Sequence, residues 1–264
     1  MVKSALSSVY SLLLLAVLFI LTVLWRIGFY QKRLRPFTRK FGTQWLVWRG
    51  RRLITAIILT LCGLSLFIQL ATNLPQNQLT GFDLAITQAI IAWRSPWLTR
   101  FLGLLTHFGS VSMTTGIVLA LVILGRRLGR RTETYYLLFC ISGAHLINES
   151  LKAAFHRARP PLPWLGTASG FSFPSGHSLL AMALYGFLAY LILRGFPNQS
   201  GRYPVAGGLL VTALAVGVSR VYLGVHFPSD VLAGWASAVA WIGLCMIGFE
   251  LSNPYFKTEQ PKRS

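Results

Sequence analysis

Three short stretches of this chain place ionisable side chains beside long apolar runs, where such groups are expensive to keep. In KAAFHRARP, Lys152 stands seven residues before Arg159, and Pro160 follows directly. Seven residues are two helical turns, so a helix continuing that far puts both cations on one side. Taken alone, the pair reads equally well as cations at a helix end whose heads reach toward lipid headgroups. In FSFPSGHS, Ser172 or Ser175 suits a helix cap and Pro174 suits the first turn, while Gly176 leaves the opening backbone N–H groups approachable beside His177. A helix start of this kind can hold a phosphate, although a plain cap accounts for everything except His177. In SRVYLGVHFPSD, Arg220 closes one apolar run and Pro228 favours a new helix with Asp230 in its first turn, four residues after His226. A carboxylate that accepts the Nδ1–H of His226 leaves Nε2 outward as nucleophile or base. A neutral structural His–Asp bond is the plainer alternative.

The elements that must position these residues are membrane helices. The chain has 264 residues, 54% hydrophobic and only 12% charged, about half the charged fraction usual for a soluble domain. Apolar segments long enough to cross about 30 Å of hydrocarbon fall at 5–25, 53–73, 109–125, 134–152, 178–194, 205–223 and 229–249. The expected fold is therefore all-α and polytopic, with seven spans. The stretch 74–108 is too polar to span, and its alternation of Phe82, Leu84 and Ile86 with Asp83 and Thr87 fits a short interfacial helix.

Of the 25 Lys and Arg residues, nine fall between Arg26 and Arg52, and further groups lie at 126–131, at Arg194 and Arg202, and in the tail. The positive-inside rule makes that face cytoplasmic and puts the connections after spans four and six outside, as it does the start of span five. All three clusters then meet at the outer face of the plasma membrane. The net charge of +19 is in this reading a topology signal and a match for anionic lipid headgroups, not for nucleic acid. Cys62, Cys140 and Cys245 lie inside apolar runs without metal-ligand or disulfide spacing and read as small buried hydrophobes.

Three cations, two histidines, a carboxylate and a helix start are what phosphoryl transfer needs, because that chemistry is mostly positioning and charge stabilisation. In the reading these residues allow, Lys152, Arg159 and Arg220 hold the phosphate together with donors from Ser175 and Gly176. His226 attacks phosphorus, Asp230 orients its ring, and His177 protonates the leaving oxygen and then activates water. No cofactor and no metal are required, since the cations already neutralise the phosphate.

These residues also carry a family resemblance. Lys152 to Pro160 resembles the KxxxxxxRP element, Pro174 to His177 the PSGH element, and Ser219 to Asp230 the SRxxxxxHxxxD element of the type 2 phosphatidic acid phosphatase superfamily, which includes vanadium-dependent haloperoxidases. The resemblance covers approximately residues 53–250. It implies a six-helix transmembrane phosphatase core, metal-independent hydrolysis of a lipid phosphate (phosphatidic acid, phosphatidylglycerophosphate or undecaprenyl diphosphate), and the residue roles given above. Residues 1–52 then form an additional N-terminal helix with its basic loop, and 251–264 a polar tail. A lipid phosphotransferase using the same intermediate, or a transporter of a phosphorylated substrate, would use the same residue types; gathering at one depth argues against transport. Oligomeric state is open at this point.

Outside the motifs, Glu149 is placed to pair with Lys152, while His156 and Arg157 are in reach of a lipid headgroup. His107 and His145 read as structural, and Trp93, Trp97 and Trp164 fit the outer interface.

Overall fold

In the computed structural model the described residues are 43–196 and 199–252, with side chains from residue 49 onward. The expected first span at 5–25, most of the basic segment after it and the tail beyond residue 252 lie outside them. Helix α1 spans Thr43–Asn73, so Arg49, Arg51 and Arg52 extend a membrane helix where a loop was expected. Nothing in this stretch breaks a helix: Arg is a good helix former, and the one glycine, Gly50, is tolerated.

Helix α2, Thr80–Ile91, is the short element expected after α1, but its faces are arranged in an unusual way. Asp83 and Thr87 are buried, whereas Phe82, Leu84 and Ile86 are exposed. Apolar residues turned outward and a carboxylate turned inward suit a helix resting against lipid beside a polar site. Helix α3, Pro96–Leu105, starts at an Ser95 cap whose Oγ accepts from Leu98 N, and a 3-10 turn at Thr106–Gly109 follows. Helix α4, Val111–Arg127, starts at a second serine cap, Ser110, and is bent by 54° from the α3 segment. The stretch 74–108 therefore forms two helices and a turn where one helix was expected.

Helix α5 covers Arg131–Phe155, α6 Gly176–Gly195 with a π-helical turn at Met182–Gly186, α7 Arg202–Tyr222 and α8 Pro228–Ser252. Helices thus lie wherever the six core spans were expected. Four of those regions (Arg49–Asn73 of α1, and α6, α7 and α8) are long and apolar enough on their own to cross a membrane. Helix α4 reaches that length only together with the bent α3 segment. Helix α5 is 25 residues long but carries Glu133, His145, Asn148, Glu149 and Lys152, which lower its apolarity because one of its ends builds the site.

The core is formed mainly around α6: Leu179, Ala183, Leu184 and Phe187 are fully buried, and they cluster with Cys140 and Ala144 of α5, Val216 of α7 and Cys245 of α8. Helices α1 and α8 meet through small residues, Ala56 and Gly63 against Ala236, Ala240 and Gly243, the composition that lets membrane helices approach closely. The outer faces carry exposed Ile54, Ile58, Leu61, Leu119, Ile123 and Val211, as a lipid-facing bundle surface must. Cys62 is on that surface, contrary to the expectation that it is buried, while Cys140 and Cys245 are buried.

The polar groups divide between the two ends of the bundle. At one end Glu250 accepts from Arg194 Nε at 2.7 Å, Tyr190 Oη at 2.7 Å and Arg52 Nη1 at 3.3 Å. At the other end meet the C-termini of α5 and α7 and the N-termini of α6 and α8.

Candidate active site

Pro228 opens α8 and so fixes Asp230 in its first turn. Asp230 is fully buried; its Oδ2 accepts from the Ser172 hydroxyl and from Phe227 N at 2.8 Å, and lies 3.4 Å from His226 Nδ1. On the other side of the ring, Arg159 Nη1 is 3.2 Å from His226 Nε2. Arginine can only donate, so Nε2 is the acceptor and the ring proton is on Nδ1, facing the carboxylate. His226 is therefore oriented with its unprotonated nitrogen toward the cavity, the state a nucleophile requires. Burial drives the imidazole pKa down to about 4 against the opposing pull of Asp230.

The turn carrying His226 depends on a glycine. Gly224 has φ +77°, a left-handed conformation that favours glycine, and a β-carbon there would also crowd the Pro163 carbonyl at 3.2 Å.

A cavity of about 730 Å³ opens in front of this ring. Lys152, Arg159, Gly176, His177, Arg220 and His226 all line it, bringing six of the eight predicted site residues to one cavity. Asp230 stands behind His226. Ser175 stands behind Gly176: it is fully buried and its Oγ accepts from Ser178 Oγ at 2.8 Å. The helix starts at Ser175 without a side-chain cap bond, and Pro174 precedes the helix instead of sitting in its first turn. No acceptor among the described residues engages the N–H groups of Gly176 and His177.

Lys152 and Arg159 do not share a helix. Helix α5 ends at Phe155, and His156 turns the chain with φ 48°; the loop then returns Arg159 to the cavity. All five N–H groups of Arg159 have acceptors, four of them the carbonyls of Ser169, Gly170, Phe171 and Val225 and the fifth His226 Nε2. Arg220 is 2% exposed, donates to Thr106 Oγ1 at 2.9 Å and Thr167 O at 3.2 Å, and keeps Nε without a partner. The two arginines are thus held by neutral acceptors, backbone and hydroxyl oxygens and one imidazole nitrogen, and neither makes an ion pair with a carboxylate among the described residues.

Several residues differ from the sequence expectation. Glu149 makes no ion pair with Lys152; its Oε1 accepts from Asn148 Nδ2 at 2.6 Å, and both line the cavity, with Asn148 Oδ1 buried and without a partner. Arg157, expected near a headgroup, points inward to Asp230 and Asp83. Ser172 and Thr106 were not singled out as partners of Asp230 and Arg220, because nothing in their local sequence marks a contact 58 or 114 residues away. Trp93 and Trp97 are strongly exposed and Trp164 is 44% exposed, as amphipathic rings at a membrane boundary are.

The helical bundle and the site fit a membrane phosphatase, and comparison with known proteins gives the family. The model of the PAP2 superfamily matches residues 133–253. Phosphatidylglycerophosphatase B of Bacillus subtilis is 37% identical over 175 residues, covering 64% of this chain and 84% of that protein. The chain belongs to the PAP2 superfamily and is a multi-pass lipid phosphatase of the PAP2 type. Lipid A 1-phosphatase of Rhizobium johnstonii is 38% identical over 119 residues, 41% of this chain and 44% of that protein. Undecaprenyl-diphosphatase of Sulfolobus acidocaldarius is 36% identical over 90 residues, 34% of this chain and 39% of that protein. Among solved structures, the transmembrane PAP2-type phosphatidylglycerolphosphate phosphatase of Bacillus subtilis aligns with a TM-score of 0.62 and 34% identity, covering 72% of this chain and 94% of that one.

Proposed function

We propose that this protein hydrolyses a phosphomonoester or diphosphate of a lipid, with phosphatidylglycerophosphate the first candidate and phosphatidic acid and undecaprenyl diphosphate the others, through a phosphohistidine at His226. The observation that carries the reading is the orientation of one ring: Nδ1–H toward buried Asp230 and Nε2 toward a cavity lined by Lys152, Arg159, Arg220 and His177. The relative with 84% of its length matched supports the choice of headgroup.

In the first step His226 Nε2 forms a bond to phosphorus as the phosphorus–oxygen bond to the lipid breaks. His177, protonated beside the bound anion, gives its proton to the departing oxygen. Asp230 balances the positive charge on the phosphorylated ring. In the second step water attacks phosphorus, His177 takes a proton back, the nitrogen–phosphorus bond breaks and inorganic phosphate leaves. Lys152, Arg159 and Arg220, with the N–H groups of Gly176 and His177, stabilise the equatorial oxygens in both steps. Arg159 exchanges some of its carbonyl bonds for phosphate oxygens when substrate enters, because it has no N–H to spare.

The cationic end of the bundle, with Arg126, Arg127, Arg194 and Arg202, faces the cytoplasm under the positive-inside rule, and the site faces the outer side of the plasma membrane. The test is phosphate release by the full chain in detergent from the three lipids, in excess EDTA, beside His226→Gln. Release by the parent and its loss in the variant are expected, with inhibition by vanadate; activity that disappears in EDTA and returns with a divalent ion contradicts the metal-free mechanism.

A further inference from the structure

Behind the catalytic pair lies a second set of charges that the motif reading does not use. Arg157 Nη1 donates to Asp230 Oδ1 at 2.6 Å and to Ser229 Oγ at 2.8 Å, and its Nη2 donates to Asp83 Oδ2 at 2.7 Å. Asp83 Oδ2 also accepts from Ser229 Oγ at 2.6 Å, and its Oδ1 accepts from Ser229 N at 2.8 Å. The guanidinium packs over the Phe227 ring, 4.2 Å from its centroid. Asp83 is 1% exposed and Asp230 fully buried, so each carboxylate oxygen has a named donor and no water is needed to satisfy it.

The arrangement links three separate parts of the chain. Asp83 comes from α2, whose apolar residues face outward; Arg157 comes from the loop after α5; Asp230 opens α8. Asp83 caps the first turn of α8 through Ser229 N and at the same time anchors the arginine that grips the catalytic carboxylate. The seven atoms bound to Asp83 and Asp230 leave Asp230 one orientation relative to His226 Nδ1.

We infer that Arg157 and Asp83 are positioning residues for the phosphatase reaction: Asp83 on the peripheral helix α2 fixes Arg157, and Arg157 holds Asp230 in register with His226. Neither touches the cavity. Their effect therefore falls on the step in which His226 attacks and not on substrate binding. The inference rests on the reading of His226 as nucleophile.

The test uses the full chain in detergent with phosphatidylglycerophosphate. Single-turnover rate constants are measured with enzyme in saturating excess, a readout that does not change with the fraction of protein that is folded. Arg157→Met is expected to slow the single turnover about 10- to 100-fold, the range seen when a partner behind a functional ligand is removed, while KM stays within about twofold. Asp83→Asn, which keeps the arginine and its charge, is expected to slow it by a smaller factor and provides the test if Arg157→Met does not fold. The double variant is expected to be no slower than Arg157→Met, because asparagine keeps an oxygen for Ser229 N and the remaining effect of Asp83 runs through Arg157. A raised KM at unchanged rate makes Arg157 a headgroup contact and overturns the inference. Parent-like turnover in Asp83→Asn, or losses that multiply in the double variant, overturn it as well. If the parent releases no phosphate, the reading of the site fails; if the parent turns over and the variants match it, only the positioning roles fail.

Discussion

At the residue scale the decisive feature is a histidine kept neutral and aimed. His226 is 2% exposed, and burial outweighs the attraction of Asp230. An unfolded chain takes up this proton near pH 6.5, while the native imidazole takes it up only near pH 4. Folded stability is therefore lost as pH falls from about 6.5 to about 4 and levels off below. The difference in thermal midpoint between the parent and His226→Gln in detergent is expected to shrink or reverse across this window; a difference independent of pH contradicts the burial argument. Asp230→Asn keeps the shape but replaces one acceptor oxygen by an NH2 and removes the charge, so the side chain no longer fixes the tautomer, and kcat is expected to fall roughly 10²- to 10⁴-fold. The pairing of His226 with Asp230 was legible in the sequence because the two residues stand four positions apart, and the structure places Nδ1 and Oδ2 within 3.4 Å. The sequence did not show Ser172, Thr106 or Asp83, whose contacts depend on helix packing across the bundle and leave no local spacing to read.

At the element scale the site depends on how closely α8 approaches the start of α6. Ser175 N donates to Asp230 O at 3.0 Å, and Gly234, one turn further along α8, faces the Ser175 carbonyl. A β-carbon at Gly234 would be 2.7 Å from Ser175 O and 3.2 Å from Leu179 N. Gly234→Ala must push these backbones apart and is expected to cost about 1–3 kcal/mol in stability and to lower kcat, as thermal unfolding and phosphate release measure. Parent-like values for both would show that the helices have room. Among the described residues, sequence reading located the long helices within a few residues, because hydropathy is strong over 20 positions. The exception is the start of α1, ten residues before the expected span, because an arginine-containing turn can extend a helix without an apolar signal. Sequence reading left open whether α5 reaches Arg159: Lys152 and Arg159 are separated by a left-handed residue at His156, which a spacing of two turns cannot reveal. It also read α2 as an ordinary interfacial helix, since alternation shows that two faces exist but not which one meets protein.

At the scale of the whole molecule the charges are sorted by end. The site gathers Lys152, Arg159 and Arg220 at one end, and Arg194 and Arg52 meet Glu250 at the other. The proposed orientation predicts that a single cysteine replacing exposed Trp164 is labelled by a membrane-impermeant maleimide in intact cells, in a background where Cys62 is serine. Labelling only after the membrane is opened would reverse the topology.

The central claim is that His226 carries the phosphoryl group. The most direct measurement is a quench in alkaline detergent of the protein turning over a lipid labelled in its phosphate, followed by gel separation. The account predicts a labelled protein band that is stable to alkali, lost in acid and absent in His226→Gln. An acid-stable band, label retained in His226→Gln, or hydrolysis by that variant at the parent rate would contradict it.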